Sequence, residues 1–581
     1  MSDILIDYIR ISGLRGFKKF KMPLKQTTVL TGVNNVGKTT ILKALQISLG
    51  SRAFLESDDF HIALDGQVDK IIVDIRIIPI NEEGINDFSE DWESVFGVSL
   101  IKIDNGQPYV PLRTMVSYDP IGSVFKTEQS VLNYWEPANS EEWLDIKGNK
   151  QTVFIKEIPF FYEEAQRDIV NDLKIKTSFI GKMLSDVAKS YDQSDVEALE
   201  NVIKGLNQKA IENSNILTTI QKSLSGVAST MDTSESVDIS PFAKKIRDLN
   251  KSLSIQYGKN EHSFAMEYHG MGTRSWSSLL TLKAFIAHNQ SLSAADGKLF
   301  FPIIAIEEPE AHLHPNAQKK LYKQISEIPG QKIISTHSQF IAASASIDEV
   351  IGLYKQDDVI KWGNICSSDL EKEDLRKLRQ KVINTRGEVF FSKALVLFEG
   401  ETEEQALPII AKKYFNCDPF ELGINMFGVG GAGSYLPFIR FAEKFNIPWY
   451  IFSDGENDPV QKMTTAVKTI RSNCFTTIED ELNVFIIDNG DDFEKYICQT
   501  HFEDILSFYK TQELNKCCNE QHKQAKEQEL NKLTSANILE LAKSDKTKWA
   551  LIFADSIRES NKPLPQLVVD LCNKIKMDLG L

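Results

Sequence analysis

The 581-residue chain is short of positive charge, of paired cysteines and of long apolar runs, and each shortage removes a class of function. Lysine and arginine number 66 against 81 aspartates and glutamates, a formal net charge of −15. That deficit excludes a broadly basic nucleic-acid coat or a polybasic membrane binder. It leaves nucleic acid open as a substrate, because only a local groove has to be positive. The seven cysteines (Cys366, Cys417, Cys474, Cys498, Cys517, Cys518 and Cys572) form no C-x-x-C pair. The adjacent Cys517 and Cys518 have no partner at zinc spacing, so a reduced, cytoplasmic chain is expected. No run approaches the ~18 apolar residues of a membrane span, and no membrane partner is expected. The opening MSDILIDYIRISGLRGF carries charges inside its first apolar stretch, which argues against a secretory leader.

What is present is ordinary globular composition, 42% hydrophobic and 25% charged, in a chain long enough for roughly three or four domains. Residues 1–60 read as strand, turn, strand, Gly-rich loop and helix. Short β-like runs follow at Ile71–Ile78, Val98–Ile103 and Thr152–Ile158. From Glu163 to about Leu224 the apolar spacing is helical, and Ser225–Ser240 reads as a loop. Strand-like Phe300–Ile306 and Lys332–Ser335 come next, then a charged helix around Ser368–Asn384. A second α/β unit alternates through Ala394–Phe398, Trp449–Phe452 and Val484–Ile487.

Gly32-Val33-Asn34-Asn35-Val36-Gly37-Lys38-Thr39-Thr40 contains G-x-x-x-x-G-K-[ST] between a strand and a helix, the context in which that motif binds nucleotide. Gly32 and Gly37 let backbone N–H groups, with Asn34 and Asn35 in the loop, approach phosphates. Lys38 reaches the β- and γ-phosphates of ATP, and the Thr39 hydroxyl ligates Mg²⁺. Far downstream, the apolar run Ile303–Ile306 ends in Glu307-Glu308-Pro309-Glu310-Ala311-His312-Leu313-His314-Pro315. The first carboxylate can hold Mg²⁺ and the second can polarise the attacking water.

That segment resembles the Walker B and D-loop of ABC-type ATPases, in the branch with SMC-like repair ATPases and the overcoming-lysogenization-defect (OLD) nucleases. The resemblance makes Glu307 the metal carboxylate, where many relatives have Asp, and Glu308 the catalytic one. His337, in Ser335-Thr336-His337-Ser338, becomes the switch histidine on the γ-phosphate. The nearest match to a signature loop is Gly270-Met271-Gly272-Thr273-Arg274-Ser275, with Gly272 against nucleotide; a plain capping loop before a helix over Trp276–His288 is the alternative. Gln166-Arg167-Asp168 resembles a stretch of OLD proteins whose role is open.

The second unit carries Glu399-Gly400-Glu401-Thr402-Glu403 after a buried-strand pattern, the loop Gly428–Ser434, and Ser453-Asp454-Gly455-Glu456 after another strand. This order is that of the TOPRIM fold. Phosphodiester hydrolysis with two Mg²⁺ needs several carboxylates at hard-metal spacing. Asp454 and Glu456 are expected to hold one ion, Glu399 and Glu403 the other, with a further ligand from Asp491-Asp492-Phe493-Glu494, for which Glu494 is the choice. Asp545-Lys546-Thr547-Lys548-Trp549-Ala550 resembles the family's K-x-x-[aromatic]-A element, which makes Lys546 the cation facing developing phosphate charge, with Lys548 as the substitute.

An ABC-type ATPase followed by TOPRIM is the OLD architecture, of the kind found in Gabija-like or retron-associated systems. The resemblance implies an α/β chain: an ATPase N-terminal lobe at 1–162, a helical dimerisation insertion at 163–240, an ATPase C-terminal lobe at 241–367, a linker at 368–390 and TOPRIM at 391–581. It implies an ATP-regulated endonuclease for double-stranded DNA, dependent on Mg²⁺ with Mn²⁺ or Ca²⁺ as alternatives. Such a chain would be a homodimer or higher oligomer and an anti-phage effector. An operon-encoded partner is also implied, either a helicase-like protein or a reverse transcriptase with its DNA. A non-nucleolytic ATP-gated DNA clamp or sensor with a degenerate TOPRIM domain is the competing reading, and a topoisomerase or primase is a third. For the topoisomerase no room or motif for a nucleophilic Tyr domain is found.

Overall fold

The computed structural model describes residues 3–50, 55–63, 66–80, 87–119, 124–136, 142–150, 155–175, 178, 181, 192–218, 256–257 and 264–581. The chain divides into two compact units. The first comprises Met1–Leu14, Lys21–Thr27 and Thr39–Thr336; the second comprises Arg15–Phe20, Thr28–Lys38 and His337–Leu581. Among the described residues no helix is long and apolar enough to cross a membrane. The Ser225–Ser240 stretch lies outside the described residues.

In the first unit an antiparallel sheet runs in the order Gly148–Lys150, Val124–Leu132, Gln107–Asp119, Lys70–Ile80, Asp3–Leu14. Its apolar positions alternate, so one face is buried: Ile9 opposes Ile75 and Ile11 opposes Val73, as period-two side-chain alternation requires. Asp74, fully buried in this sheet, accepts from Arg113 Nε (2.7 Å) and Nη2 (2.8 Å). Arg113 also donates to the carbonyls of Trp143, Leu144 and Ile146. A buried ion pair is tolerable when its remaining donors are satisfied in this way.

The same unit holds three parallel strands, Phe160–Glu163, Ile303–Glu307 and Gln331–Ser335, with Tyr162 opposite Ala305 and Ile306 opposite Ile334. The middle strand is buried from Ile303 to Ile306. Continuous apolar runs of this kind mark strands covered on both faces. Two charged residues at its end therefore stand where the chain emerges.

Two local expectations fail. Val98–Ile103 is not one strand: a helix spans Glu90–Leu100 and a short strand follows at Lys102–Asp104. The Ser89 hydroxyl caps that helix at Trp92 N–H, and Trp92 stacks on Phe96 one turn on, an i,i+4 pair that outweighs the β-branched residues after it. For Thr152–Ile158, residues 152–154 lie outside the described set and 155–158 form a turn rather than a strand. The helical reading after Glu163 is met by Ile169–Lys174 and Gln193–Glu212.

In the second unit, Val29, Leu30 and Thr31 pair in parallel with Val350, Ile351 and Gly352 of the strand Val350–Gln356, which turns back antiparallel into Val359–Gly363. Beyond it lies a parallel four-stranded sheet in the order Ile424–Gly428, Ala394–Phe398, Trp449–Ser453, Val484–Ile486. Every residue of the central Ala394–Phe398 strand is buried. The helices Glu401–Phe415, Phe493–Asn515, Lys546–Glu559 and Gln566–Leu579 build one core with it. That core contains Val396, Phe398, Ile410, Phe452, Phe493, Trp549 and Phe553. Parallel strands present all their C-terminal ends at one edge, where open α/β sheets bind ligands. The α/β class holds in both units.

Candidate nucleotide and carboxylate sites

The Gly32–Lys38 loop belongs to the second unit. The Lys38 ammonium, buried, donates to the carbonyls of Gly32 (2.8 Å) and Val33 (2.9 Å). The loop thus curls around the cation that a phosphate would engage. Only glycine serves at two of its positions. Gly32 has φ 130° and an added Cβ would lie 2.3 Å from the Leu353 carbonyl; Gly37 has φ 88° with the Phe17 ring 2.5 Å away. Asn35 is also left-handed (φ 64°), and Val33, Asn34 and Asn35 are exposed. Thr40 is buried in the helix Lys38–Leu49.

In the first unit, Thr39 Oγ1 donates to the Glu307 carboxylate, whose other oxygen accepts from Tyr162 Oη at 2.8 Å. Two residues 268 positions apart, chosen from sequence to share Mg²⁺, are therefore in direct contact. Glu308 follows with a left-handed backbone (φ 42°), its N–H bonded to the Ser335 carbonyl at 2.9 Å. Glu310 accepts from Thr336 Oγ1 at 2.8 Å. His337 opens the next segment of the second unit, with its ring stacked on Phe391.

Gly272 is not in a loop. The helix begins at Met271, with Gly270 as its cap, and runs to Ala295, so Gly272 sits in the first turn. A Cβ there would lie 2.4 Å from the His312 carbonyl. The residue thus permits close packing against the segment that follows Glu308.

In the second unit the expected carboxylates gather at the C-terminal edge of the parallel sheet. Glu399 ends the central strand, Glu403 lies in the first turn of the next helix, and Asp454 follows the Trp449–Ser453 strand. Asp454 accepts from the Phe493 N–H at 2.9 Å, and Glu494, buried, accepts from Thr402 Oγ1 at 3.0 Å. Burial, then the charges of Glu494 and Glu399, pushes the Glu403 acid up to about 7. Burial, then Glu403 and Glu494, pushes Asp454 up to about 8. Glu399 Oε2 is buried with no hydrogen-bond partner. Lys546 Nζ stands 3.7 Å from Glu494 and is otherwise largely exposed.

The neighbours divide clearly. Asp491 pairs with Lys495 and accepts from Gln499, and Asp492 caps the helix Phe493–Asn515, which leaves Glu494 as the acid facing Glu403. Lys548 faces Glu513 and the Tyr509 ring instead. Glu456 is exposed at the start of the helix Asn457–Arg471 and makes no capping bond. Among the described residues, no three His, Cys, Asp or Glu side chains already stand in a metal-holding group. The donor set nevertheless suits a hard divalent cation: carboxylate oxygens, one orphaned, with raised pKa values that a cation would lower.

Sequence reasoning missed Tyr435. Its phenol is buried among Glu399, Glu403 and Asp454, and burial followed by their charge pushes its pKa upward. Its position directly after the glycine loop was the available signal. In that loop Gly430 (φ 74°) and Gly431 (φ 101°) are both left-handed, and Gly431 N–H donates to the Glu399 carbonyl at 3.0 Å. Lys381, also missed, donates to Ser434 Oγ at the loop's end.

The AAA ATPase domain family (AAA_15) matches residues 5–93 and 126–342. The TOPRIM domain of overcoming lysogenization defect protein-like proteins matches residues 390–455. Among curated relatives, the OLD nuclease of Thermus scotoductus is 23% identical over 495 residues, 79% of this chain and 83% of its own. The Old nuclease of Escherichia phage P2 is 23% identical over 563 residues, 92% and 91%. The endonuclease GajA of Bacillus cereus strain HuB5-5 is 22% identical over 583 aligned positions, 84% and 82%.

Proposed function

We propose that this chain, which belongs to the AAA ATPase domain family and continues into an OLD-like TOPRIM domain, is an ATP-regulated, divalent-cation-dependent endonuclease acting on duplex DNA. The observation that carries the reading is the group Glu399, Glu403, Asp454 and Glu494 at one sheet edge, two of its members with raised pKa values and one oxygen without a partner. Uncompensated buried carboxylates are costly, and a structure keeps them where a cation or substrate relieves the cost. Three relatives that align over most of their length are named nucleases.

Glu399, Glu403, Asp454 and Glu494 are the residues that would hold Mg²⁺ or Mn²⁺. Such ions activate water and offset charge on the scissile phosphate. Lys546 reaches into the same space from a helix start and offers its ammonium to the non-bridging phosphate oxygens. Arg386, paired with Glu404 at 2.5 Å beside the Phe427 ring, helps hold the helix Glu401–Phe415 against the Gly428 strand end, where Gly428 N–H donates to Glu404. In the first unit, Thr39 and Glu307 would hold Mg²⁺ and Glu308 orients water; in the second, Lys38 binds phosphate and His337 reports on the γ-phosphate. The domain limits, the homodimer, the operon partner and the anti-phage role stand as part of the same proposal.

A supercoiled-plasmid assay with Mg²⁺, Mn²⁺ or EDTA, each with and without ATP, tests it. Cutting by wild type, lost in EDTA and in Glu399→Ala, is the expected result. Plasmid retention without any nicking would instead establish the clamp reading, which the exposed, unbonded Glu456 favours.

A further inference from the structure

We propose that Arg167 is a positioning residue for Glu308, and that the Asp168–Arg274 pair ties this setting to the helix Met271–Ala295. The inference rests on the reading of Glu308 as the water-orienting carboxylate of an ATP-hydrolysing site.

Arg167 is 4% exposed. It leaves the strand Phe160–Glu163, which runs parallel to Ile303–Glu307 with Glu163 opposite Ile306, so both chains emerge side by side. Its Nη1 donates to the carbonyls of Glu164 (2.9 Å) and Glu307 (3.0 Å), and its Nη2 to the carbonyl of Glu308 (3.1 Å). Burial pulls its pKa down, against the charges of Glu163, Glu310 and Glu308. A buried guanidinium is costly unless its donors are satisfied; here the two terminal nitrogens bond three carbonyls while Nε has no partner among the described residues.

What it fixes is a strained peptide. A left-handed backbone is strained for a non-glycine residue. Glu308 is held there from both ends, its N–H on the Ser335 carbonyl and its own carbonyl on Arg167. An extended residue at 308 would carry the carboxylate in another direction. The strain therefore aims the side chain, and Arg167 maintains the strain.

The next residue points the opposite way. Asp168 accepts a two-pronged contact from Arg274, through Nε at 2.8 Å and through Nη2, while capping Ile169–Lys174 at the Val170 N–H. Arg274 lies in the first turn of the helix Met271–Ala295. That helix also bonds Asp172 through Ser278 Oγ at 2.9 Å and touches the His312 carbonyl at Gly272. Its first turns are therefore held by Asp168 and Asp172 and packed on the segment that follows Glu308, and any displacement of them pulls on Asp168 and, one peptide away, on Arg167.

The test uses full-length protein, steady-state ATP hydrolysis, binding of a fluorescent ATP analogue and the thermal midpoint. The variants are Arg167→Lys, Asp168→Asn, Arg274→Lys and Glu308→Gln. Lysine keeps the charge but cannot span two carbonyls with a fixed fork. Arg167→Lys should lower kcat by about a hundred-fold, the scale of a 1 Å misplacement, while KM, analogue affinity and thermal midpoint stay near wild type. Asp168→Asn and Arg274→Lys should each lower kcat by about ten-fold, with the double variant no worse than the poorer single one. Wild-type kcat in Arg167→Lys, with Glu308→Gln inactive, overturns the inference and leaves the hydrolytic reading intact. A parallel fall in kcat, affinity and thermal midpoint also overturns it, as that would mark a merely structural role. Equal background turnover in wild type and Glu308→Gln overturns both.

Discussion

The chain carries two sets of strand-end carboxylates, and it treats them in opposite ways. In the first unit, Glu307 takes hydroxyl donors from Thr39 and Tyr162, and the peptides of Glu307 and Glu308 are held by a buried guanidinium. In the second, Glu403 and Asp454 meet chiefly each other and Glu494, and Glu399 keeps an unpartnered buried oxygen. The first set is braced by the chain's own donors before any ligand arrives. The second crowds acids whose ionised forms lack a counter-charge. A site braced in this way can hold one geometry through a nucleotide cycle, whereas the crowded acids gain a counter-charge only when a cation binds.

The largest test of the contrast is removal of a carboxylate. Glu399→Ala or Asp454→Ala should reduce plasmid nicking to background while binding of a fluorescent ATP analogue is unchanged. Lys38→Ala should abolish binding of the analogue and leave nicking measured without ATP at its wild-type level. Loss of both functions in any one variant would dissolve the separation between the two sets. A step smaller, Lys546→Ala should slow nicking by roughly 10²–10³, the cost of removing one charge-stabilising donor. Lys548→Ala should cost less than about three-fold, since that ammonium lies over the Tyr509 ring. Initial rates on supercoiled plasmid separate the two.

The lysine choice shows what a sequence can and cannot carry. Residues two apart on a helix face nearly opposite ways, so Lys546 and Lys548 were distinguishable only once the phase of the helix Lys546–Glu559 was known. Glu494 was ambiguous for a related reason: three acids lie within four positions, and their roles follow from partners at Lys495, Gln499 and Thr402. By contrast, the strand Ala394–Phe398 was legible to the residue, because a doubly covered parallel strand is an unbroken apolar run. The Gly32–Thr39 loop was legible because its backbone needs glycine at fixed offsets. Gly272 was misplaced into a loop because its helix starts on glycine, without the Ser, Thr, Asp or Asn cap that marks a start. Arg167 and Asp168 find partners 106 to 141 residues away, a separation over which no periodicity speaks.

The smallest effect sharpens the comparison most, because its sign differs between the two sets. Asp454 has its pKa raised from 3.8 to about 8. A raised folded-state value means stability is fully present below the unfolded value and is lost as pH climbs through the folded one. Metal-free protein should therefore weaken between about pH 4 and pH 8. Asp454→Asn removes that penalty and should raise the thermal midpoint at pH 8 in EDTA by a few degrees, on the order of 2 kcal/mol, with little change at pH 5. Glu307→Gln should give no such gain at either pH, because its carboxylate already accepts from Thr39 and Tyr162 and the amide nitrogen would face a donor. Adding Mg²⁺ should stabilise wild type at pH 8 more than Asp454→Asn. If both variants moved the midpoint in the same direction, the braced and unbalanced sets would be electrostatically alike, and the assignment of the second as a cation site would lose its physical basis.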